Sequence, residues 1–471
     1  MVATLDGDKL TLNEVHRFGN GPVRLPDGIH WDVLRLWSEI KTGIVAAIKS
    51  GANPGGIGID TWGVDFALLD KNGTLLGNPF HYRDARTDGM LDEAFRRVPR
   101  AEIFAQTGIQ FMQLNTLYQL LAMSLGKSPL FEVAETFVTV PDLLNYWLTG
   151  KITNEFTIAT TTQCLNPLTR DWARDLLDSF GIPSRLFHPV TQPGTILGAL
   201  LSEVAEETGA GALSVVAPAC HDTGSAVVAV PAQNQDFAWI SSGTWSIMGA
   251  EVRQPVLGEK ALAYNFTNEG GVFGTWRLSE NIMGLWLVQE CRRFWRDHGQ
   301  NLGYDEIIHL AAEARSFLAV VNPNADLFFH PGDMPEKIRK FCAESGQPVP
   351  QTKGEIVRVA LESLALKYRH LLEHLEELVG KRLDPIHIIG GGTMNRLLNQ
   401  FTADCTGRTV VAGPAEATAI GNVLMQAIAL GHLGSLAEAR AVVRKSFDVE
   451  IYYPASSAGW DEAYAKLLKL T

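Results

Sequence analysis

A carboxylate and a serine-rich turn lie close together near the middle of this chain. Asp222 follows the apolar run 215–217 and is succeeded by small residues in the segment His221-Asp222-Thr223-Gly224-Ser225-Ala226. Because open α/β sheets place their chemistry at strand ends, we expect this carboxylate to face a ligand. The segment Ser241-Ser242-Gly243-Thr244-Trp245 offers backbone N–H groups and hydroxyls to an anion. Together the two segments indicate phosphoryl transfer to a hydroxyl group.

The elements that position these residues alternate between strand and helix patterns, which predicts an α/β fold. A hairpin is predicted from residues 2–5 and 10–18, joined by Asp6-Gly7-Asp8, and a helix follows over residues 31–48. Strands are predicted at 57–60, 65–69, 214–218, 237–241, 245–252 and 386–389. Residues 84–213 are predicted to be mostly helical, with helices at 90–98, 114–125 and 142–149. Later helices are predicted at 281–295, 353–378 and after Ala415.

Length and composition limit the class of protein. A chain of 471 residues exceeds the size of one core, so we expect two domains, 1–230 and 231–471, with a cleft between them. The net charge of -12 is unfavourable for binding nucleic acid or an anionic membrane. No apolar run is long enough to span a membrane, and the 5 cysteines are dispersed without metal-ligand spacing. These features favour a cytoplasmic monomer or small homo-oligomer acting on small molecules.

The order of motifs along the whole chain resembles the FGGY family of carbohydrate kinases. The residues that carry this resemblance form segments beginning at Asp60-Thr61-Trp62-Gly63, Tyr82-Arg83-Asp84, Pro141-Asp142, His221-Asp222-Thr223, Ser241-Ser242-Gly243-Thr244, Thr267-Asn268-Glu269, Asn281-Ile282-Met283-Gly284, Gly390-Gly391-Gly392 and Gly413-Pro414-Ala415. The resemblance implies two ribonuclease-H-like domains of the actin and hexokinase type that close on ATP and a sugar. It also implies transfer of the γ-phosphoryl group of MgATP to the 1-hydroxyl of L-rhamnulose, an early step of L-rhamnose catabolism.

The resemblance assigns roles to individual residues. Asp222 matches the family's general base, and a helix-capping Asp is the alternative interpretation. Sugar contacts are implied for Gly63, His221, Thr223 and Asn281, although a turn glycine and a core histidine would also explain Gly63 and His221. Contacts with ATP are implied for Thr244, Gln289 and Gly391, and a plain hairpin turn is the alternative at Thr244. No dense metal-ligand motif is present, so we expect Mg²⁺ to arrive with ATP.

The start of the chain differs from the pattern it resembles. Such kinases begin with a buried strand and a glycine- and serine-rich phosphate-binding turn, whereas here residues 2–5 correspond to the strand after that turn. We therefore expect a first domain without its first strand, an N-terminally truncated chain that binds ATP poorly, turns over slowly and is less stable than a longer form. Two alternative functions remain open. One is a kinase of another ketose or polyol, and the other is a sugar-binding protein that no longer transfers phosphate.

Overall fold

The structure is a computed structural model that describes residues 1–470 and contains two compact units. The first unit comprises Met1–Ala229, Glu251–Leu278 and Thr418–Ser446. The second comprises Val230–Ala250, Ser279–Ala417 and Phe447–Thr471. Both units contain helices and β-sheet, which confirms the predicted α/β class. The single division at residue 230 stays a prediction.

The helices are, in chain order, α1 Val33–Lys49, α2 Met90–Arg97, α3 Arg100–Thr107, α4 Thr116–Leu125, α5 Leu130–Val133, α6 Val140–Thr149, α7 Phe156–Ala159, α8 Arg174–Ser179, α9 Ser202–Thr208, α10 Asp222–Val228, α11 Glu259–Ala263, α12 Trp286–Asp297, α13 Tyr304–Glu313, α14 Asp326–Phe329, α15 Met334–Glu344, α16 Lys353–Val379, α17 Arg396–Thr406, α18 Ala417–Ala429, α19 Leu436–Ser446 and α20 Trp460–Leu467. None of the helices within residues 1–470 combines the length and the apolar character that a membrane crossing needs.

The strands are β1 Val2–Asp6, β2 Lys9–Asn13, β3 Pro22–Leu25, β4 Gly28–Trp31, β5 Gly56–Gly58, β6 Phe66–Leu69, β7 Thr136–Thr139, β8 Leu165–Asn166, β9 Asp171–Trp172, β10 Thr195–Ala199, β11 Ser214–Ala217, β12 Ala238–Ser242, β13 Trp245–Val252, β14 Thr267–Gly270, β15 Trp276–Met283, β16 Ile386–Ile389, β17 Val410–Ala412 and β18 Glu450–Tyr452.

In the first unit, a three-stranded sheet carries the segment with Asp222. Its strand order is β10-β11-β5, with β11 antiparallel to β10 and parallel to β5. Beyond the strand ends the two parallel backbones stay paired, because Thr61 N donates to Cys220 O and Asp222 N donates to Thr61 O, both at 2.9 Å. The predicted strands at 57–60 and 214–218 are confirmed, although β5 itself ends at Gly58. This pairing places the residues after β5 beside those after β11.

The predicted N-terminal hairpin is also confirmed. Strands β1 and β2 pair antiparallel, and Gly7 in the turn has a φ of 57°. Strand β1, strand β5, helix α1 and helix α18 line one cavity of about 820 Å³. Within residues 1–470, β1 and β5 each have one edge without a strand partner, since β1 pairs only with β2 and β5 only with β11.

The largest sheet has seven strands in the order β14-β15-β13-β12-β16-β17-β18. Strand β12 is antiparallel to β13 and parallel to β16, so the chain reverses at Gly243 in a tight turn. The strands predicted at 237–241, 245–252 and 386–389 are confirmed. The long helix predicted at 353–378 is α16, which begins with a capping box between Thr352 and Glu355 and ends at Gly380 with a φ of 69°.

Two secondary-structure predictions are corrected. Residues 281–283 belong to strand β15 and the helix begins only at Trp286, so the predicted helix 281–295 started too early. Almost every residue of β15 is buried, and continuous burial removes the alternation that distinguishes a strand from a helix in sequence. The region 84–213 also contains strands β7 to β10, of which β7 is fully buried against β6.

Candidate active site

Asp222 is anchored through one oxygen of its carboxylate. Its Oδ1 accepts hydrogen bonds from the backbone N of Thr223 at 2.5 Å and from Thr223 Oγ1 at 3.1 Å, and His221 Nε2 lies 3.3 Å away. Within residues 1–470 no hydrogen-bond donor contacts Oδ2, and 44% of the side chain is exposed. The N-cap residue of α10 is His221 rather than Asp222. A carboxylate with one anchored and one free oxygen can accept a proton from a bound hydroxyl group.

A second carboxylate supports the backbone that leads to Asp222. Glu155, which is fully buried, accepts hydrogen bonds from Cys220 N at 3.2 Å and from Thr157 Oγ1 at 2.6 Å. The Thr157 hydroxyl in turn accepts from His221 N at 3.2 Å. Burial raises the pKa of Glu155 to about 7, and hydrogen bonds from Thr157 oppose the shift. Glu155 therefore fixes the backbone at the end of β11. The sequence did not single out this residue, because a Glu before a short helix is commonly only a helix cap.

Asp142 supports Glu155 in the same way. Its carboxylate accepts from Thr139 Oγ1 at 2.5 Å, from Thr153 Oγ1 at 2.9 Å and from Glu155 N at 3.1 Å. Burial raises the pKa of Asp142 to about 7, against the effect of these hydrogen bonds. The segment Pro141-Asp142, which carries part of the resemblance, thus has a structural role: Asp142 contacts Glu155, and Glu155 contacts the backbone of Cys220, two residues before Asp222.

The ring of His221 lies between Asp222 and a buried ion pair. His221 Nδ1 is 3.0 Å from Arg277 Nη2 and 3.3 Å from Glu269 Oε2, and the same two side chains meet at 3.1 Å. Burial alone would raise the pKa of Glu269, but the charge of Arg277 and contact with His221 hold it below its ordinary value. Protein groups therefore contact both ring nitrogens, as expected of a core histidine, and the sugar contact of His221 stays a prediction.

Asp60 connects the segment after β5 to helix α18 through a hydrogen bond. Its Oδ2 accepts from Asn422 Nδ2 at 2.5 Å, and Asn422 Oδ1 accepts from Gln426 Nε2 at 2.7 Å. Burial raises the pKa of Asp60 to about 7, the Asn422 hydrogen bond opposes this, and the charge of Asp222 adds to it. Asp60 is thus close enough to Asp222 for the two carboxylates to interact. Sequence reasoning could not find the Asn422 contact, because the two partners are 362 positions apart.

Gly63 lies in a strained loop after β5. A Cβ atom at position 63 would lie 3.0 Å from Thr161 Oγ1. The next residue, Val64, has a φ of 67°, which is unfavourable for a β-branched side chain, and its N donates to Thr161 Oγ1 at 3.1 Å. Packing against Thr161 already favours a glycine here, so the contact of Gly63 with a sugar stays a prediction.

The charged segment after Tyr82 orders neighbouring loops. Asp84 accepts from Ile29 N at 2.8 Å and from Arg86 N at 3.0 Å. Arg86 Nη2 donates to Gln119 Oε1 at 2.5 Å, and its guanidinium lies 3.9 Å from the centre of the Phe80 ring. These contacts tie the segment to backbone, amide and aromatic groups of neighbouring loops.

In the second unit, the structure brings together two of the residues assigned to ATP. Thr244 Oγ1 donates to Gln289 Oε1 at 2.8 Å, and Thr244 is exposed in the β12–β13 turn. Two backbone hydrogen bonds stabilise the turn: Gly243 N donates to Trp245 O at 2.9 Å, and Leu285 N donates to Gly243 O at 3.0 Å. Asn281 belongs to β15, and it is partly exposed.

The three successive glycines after β16 have different surroundings. Gly390 adopts a φ of 84°, and a Cβ at Gly392 would lie 2.0 Å from Ser242 Oγ. A Cβ at Gly391 would meet no atom within 4 Å. Backbone conformation and packing therefore explain two of the glycines but not Gly391, whose open surface is suited to the close approach of a ligand.

Within residues 1–470 no group of three or more His, Cys, Asp or Glu side chains is placed to hold a metal ion. Mg²⁺ is commonly bound through one or two carboxylates together with substrate phosphates and water, so an ion bound with ATP would need few protein ligands.

Comparison with known proteins identifies the family. The N-terminal domain model of the FGGY family of carbohydrate kinases matches residues 23–229, and the C-terminal domain model matches residues 238–430. Rhamnulokinase from Bacteroides thetaiotaomicron is 45% identical over 455 residues, covering 97% of this chain and 93% of that protein. Rhamnulokinase from Oceanobacillus iheyensis is 42% identical over 455 residues, covering 97% and 96%.

Solved structures show the same two-domain fold. The gluconate kinase from Lactobacillus acidophilus superposes with a TM-score of 0.80 at 17% identity, covering 96% of this chain and 91% of that one. The glycerol kinase from Plasmodium falciparum with ADP superposes with a TM-score of 0.77 at 16% identity, covering 98% and 92%. The predicted two-domain kinase fold is therefore confirmed, and the chain belongs to the FGGY family of carbohydrate kinases.

Proposed function

We propose that this chain transfers the γ-phosphoryl group of MgATP to the 1-hydroxyl of L-rhamnulose. The relatives at 42–45% identity are rhamnulokinases, and both family domains are those of ATP-dependent carbohydrate kinases. The observation that carries the chemical assignment is the Asp222 carboxylate, with Oδ1 anchored and Oδ2 free. The comparisons lend no support to a kinase of another sugar or to a binding protein without activity.

In the proposed reaction, Asp222 Oδ2 accepts the proton of the sugar hydroxyl as the hydroxyl oxygen attacks the γ-phosphorus. The new O–P bond forms while the bond between the γ-phosphorus and its bridging oxygen breaks, and ADP leaves with that oxygen. His221 and the Thr223 hydroxyl hold Oδ1, so the carboxylate does not rotate when Oδ2 takes the proton. Mg²⁺ bound with ATP would supply positive charge that neutralises the phosphates.

The remaining site residues are assigned by position. We propose that Gly63, Thr223 and Asn281 contact the sugar, together with His221. For the nucleotide, Thr244 and Gln289 are supported by their mutual hydrogen bond at 2.8 Å, and Gly391 by the open space beside it.

We place the enzyme in the cytoplasm as a monomer or small homo-oligomer. All 5 cysteines are free and buried, as is usual for proteins of reducing compartments. We also propose that it acts on small molecules alone, without nucleic acid or membrane partners.

Replacing Asp222 by Asn tests the assignment. D222N removes the proton acceptor but keeps the shape of the side chain, so we expect kcat to fall by at least about a hundredfold with little change in ATP affinity. D178N, which alters an exposed carboxylate of the same unit, is the matched control and should keep wild-type turnover. Turnover of D222N within a few-fold of wild type would refute the role of Asp222.

A panel of ketoses tests the substrate. Coupled ATP turnover on L-rhamnulose should exceed turnover on L-fuculose and L-xylulose, since one misplaced hydroxyl leaves buried polar groups unpaired. Equal turnover on all three sugars would overturn the assignment of L-rhamnulose without affecting that of Asp222.

A further inference from the structure

The His221 side chain next to the proposed base belongs to a buried cluster with Glu269 and Arg277, two charged residues to which the proposed reaction assigns no role. His221 is 6% exposed, Glu269 is 7% exposed and Arg277 is completely buried. Arg277 comes from β15 and Glu269 from β14, whereas His221 immediately precedes α10. Three separate segments of the first unit thus meet at one imidazole ring.

The geometry of this cluster determines which ring nitrogen of His221 carries the proton. A guanidinium group only donates hydrogen bonds, so an atom 3.0 Å from Arg277 Nη2 must accept. Nδ1 of His221 is that atom. Nδ1 also lies 3.3 Å from Glu269 Oε2, but its shorter contact, the hydrogen bond with Arg277, requires the lone pair of Nδ1. The ring proton of the neutral imidazole therefore lies on Nε2, which is 3.3 Å from Asp222 Oδ1.

Other contacts keep Arg277 in the position that this arrangement needs. Its Nε donates to Gly270 O at 2.9 Å, and its Nη2 lies 3.1 Å from Glu269 Oε2. Burial lowers the pKa of the Arg277 guanidinium, and the charges of Glu269 and Asp222 oppose that shift. Glu269 thus compensates the buried cation and holds the nitrogen that faces the ring.

We infer that Arg277 and Glu269 are positioning residues of this kinase, which fix His221 as the Nε2–H tautomer so that it holds Asp222 Oδ1 and leaves Oδ2 for the sugar hydroxyl. The inference rests on the proposed role of Asp222 as the base. Without the pair, Nδ1 can carry the proton, Nε2 then repels Asp222 Oδ1, and the carboxylate loses its orientation.

The test removes both charges together, because removing one partner would leave the other buried and unpaired. The double variant Glu269→Gln with Arg277→Met keeps the side-chain volumes similar. The matched control is Glu362→Gln with Arg358→Met, which removes another buried ion pair, 2.7 Å apart, in the second unit. Both double variants should lose comparable thermal stability, so stability alone cannot account for a difference in turnover.

Two measurements distinguish a positioning role of the pair from a general loss of protein stability. The first is the ¹⁵N spectrum of histidine-labelled protein, with the His221 signals assigned by their loss in His221→Gln. Wild type and the control should show Nε2–H at His221, and E269Q/R277M should show a mixture of tautomers or Nδ1–H. The second is kinetics: E269Q/R277M should lower kcat by at least about tenfold with KM for ATP unchanged, whereas the control should keep its kcat.

A mutant cycle that combines E269Q/R277M with Asp222→Asn completes the test. If the pair acts through Asp222, E269Q/R277M should cause no further loss of residual turnover in D222N. An unchanged tautomer, an unchanged kcat or a full additional loss in D222N would each overturn the inference. Near wild-type turnover of D222N alone would instead refute the proposed function, and the spectrum would still report the tautomer independently.

Discussion

The buried carboxylates behind Asp222 predict that the protein becomes less stable as pH rises from 6 to 8. Burial raises the pKa of Asp142 to about 7 from an ordinary value of 3.8. Because the folded state then binds the proton more tightly than the unfolded state, the stabilisation is complete below the unfolded value and is lost as pH rises through 7. For a folded pKa of about 7, the loss between pH 6 and pH 8 amounts to about 1.4 kcal/mol.

The variant Asp142→Asn isolates this contribution, because an amide does not titrate. By calorimetry, the drop in the unfolding midpoint from pH 6 to pH 8 should be about 2 °C smaller in D142N than in wild type. Histidines oppose the trend: burial lowers the pKa of His81 and His370 to about 4, so they contribute stability that increases through their ordinary value of 6.5. Their effect is common to both proteins and cancels in the difference.

The control for this experiment is D178N, in which the replaced carboxylate is exposed. Its midpoint should change with pH as that of wild type does. If D142N and wild type show the same pH dependence, Asp142 does not hold a proton near neutral pH, and the account of the buried network under Asp222 is wrong.

Three further predictions concern glycine contacts and the metal. Gly391→Ala should leave the unfolding midpoint unchanged, because no atom lies within 4 Å of the added methyl group, but should raise KM for ATP several-fold; an unchanged KM would remove Gly391 from the nucleotide site. Gly421→Ala should destabilise the protein by at least about 1–3 kcal/mol in denaturant titration, since the methyl group would lie 1.7 Å from Ser225 O in α10, and wild-type stability would show that α18 can shift. Removal of divalent ions with a chelator should abolish turnover and added Mg²⁺ should restore it, whereas turnover in excess chelator would contradict a metal that arrives with ATP.

Much of the fold could be predicted because its strands are short apolar runs that end in turn residues. Strands could be predicted at 214–218, 237–241 and 386–389 from the residues of each run alone, and each run corresponds to a strand of the structure. The helix prediction was wrong at residues 281–283, because β15 is buried along nearly its whole length and its local sequence pattern resembles that of a helix. Sheet order, by contrast, depends on pairings between distant segments.

In the candidate site, too, some residues could be predicted from the sequence and others could not. Asp222, Thr244 and Gly391 could be proposed from sequence because each sits in a short motif whose residue types suggest chemistry. Glu269 and Arg277 could not be found from spacing, because their importance comes from burial against His221, and a sequence does not show that a charged residue is buried. The contact of Asn422 with Asp60 likewise requires the fold of α18 onto the first unit.

The two supports around Asp222 control two different properties of one carboxylate. Glu155 fixes the backbone, through the N–H of Cys220 and the Thr157 hydroxyl that meets His221 N. The His221 ring fixes the rotation of the carboxylate. A base that must accept a proton within hydrogen-bond reach needs both, since a correct position with the wrong rotation leaves no free oxygen for the hydroxyl. The motif His221-Asp222-Thr223 alone therefore does not define the site, because the orientation of its carboxylate depends on side chains that are distant in sequence.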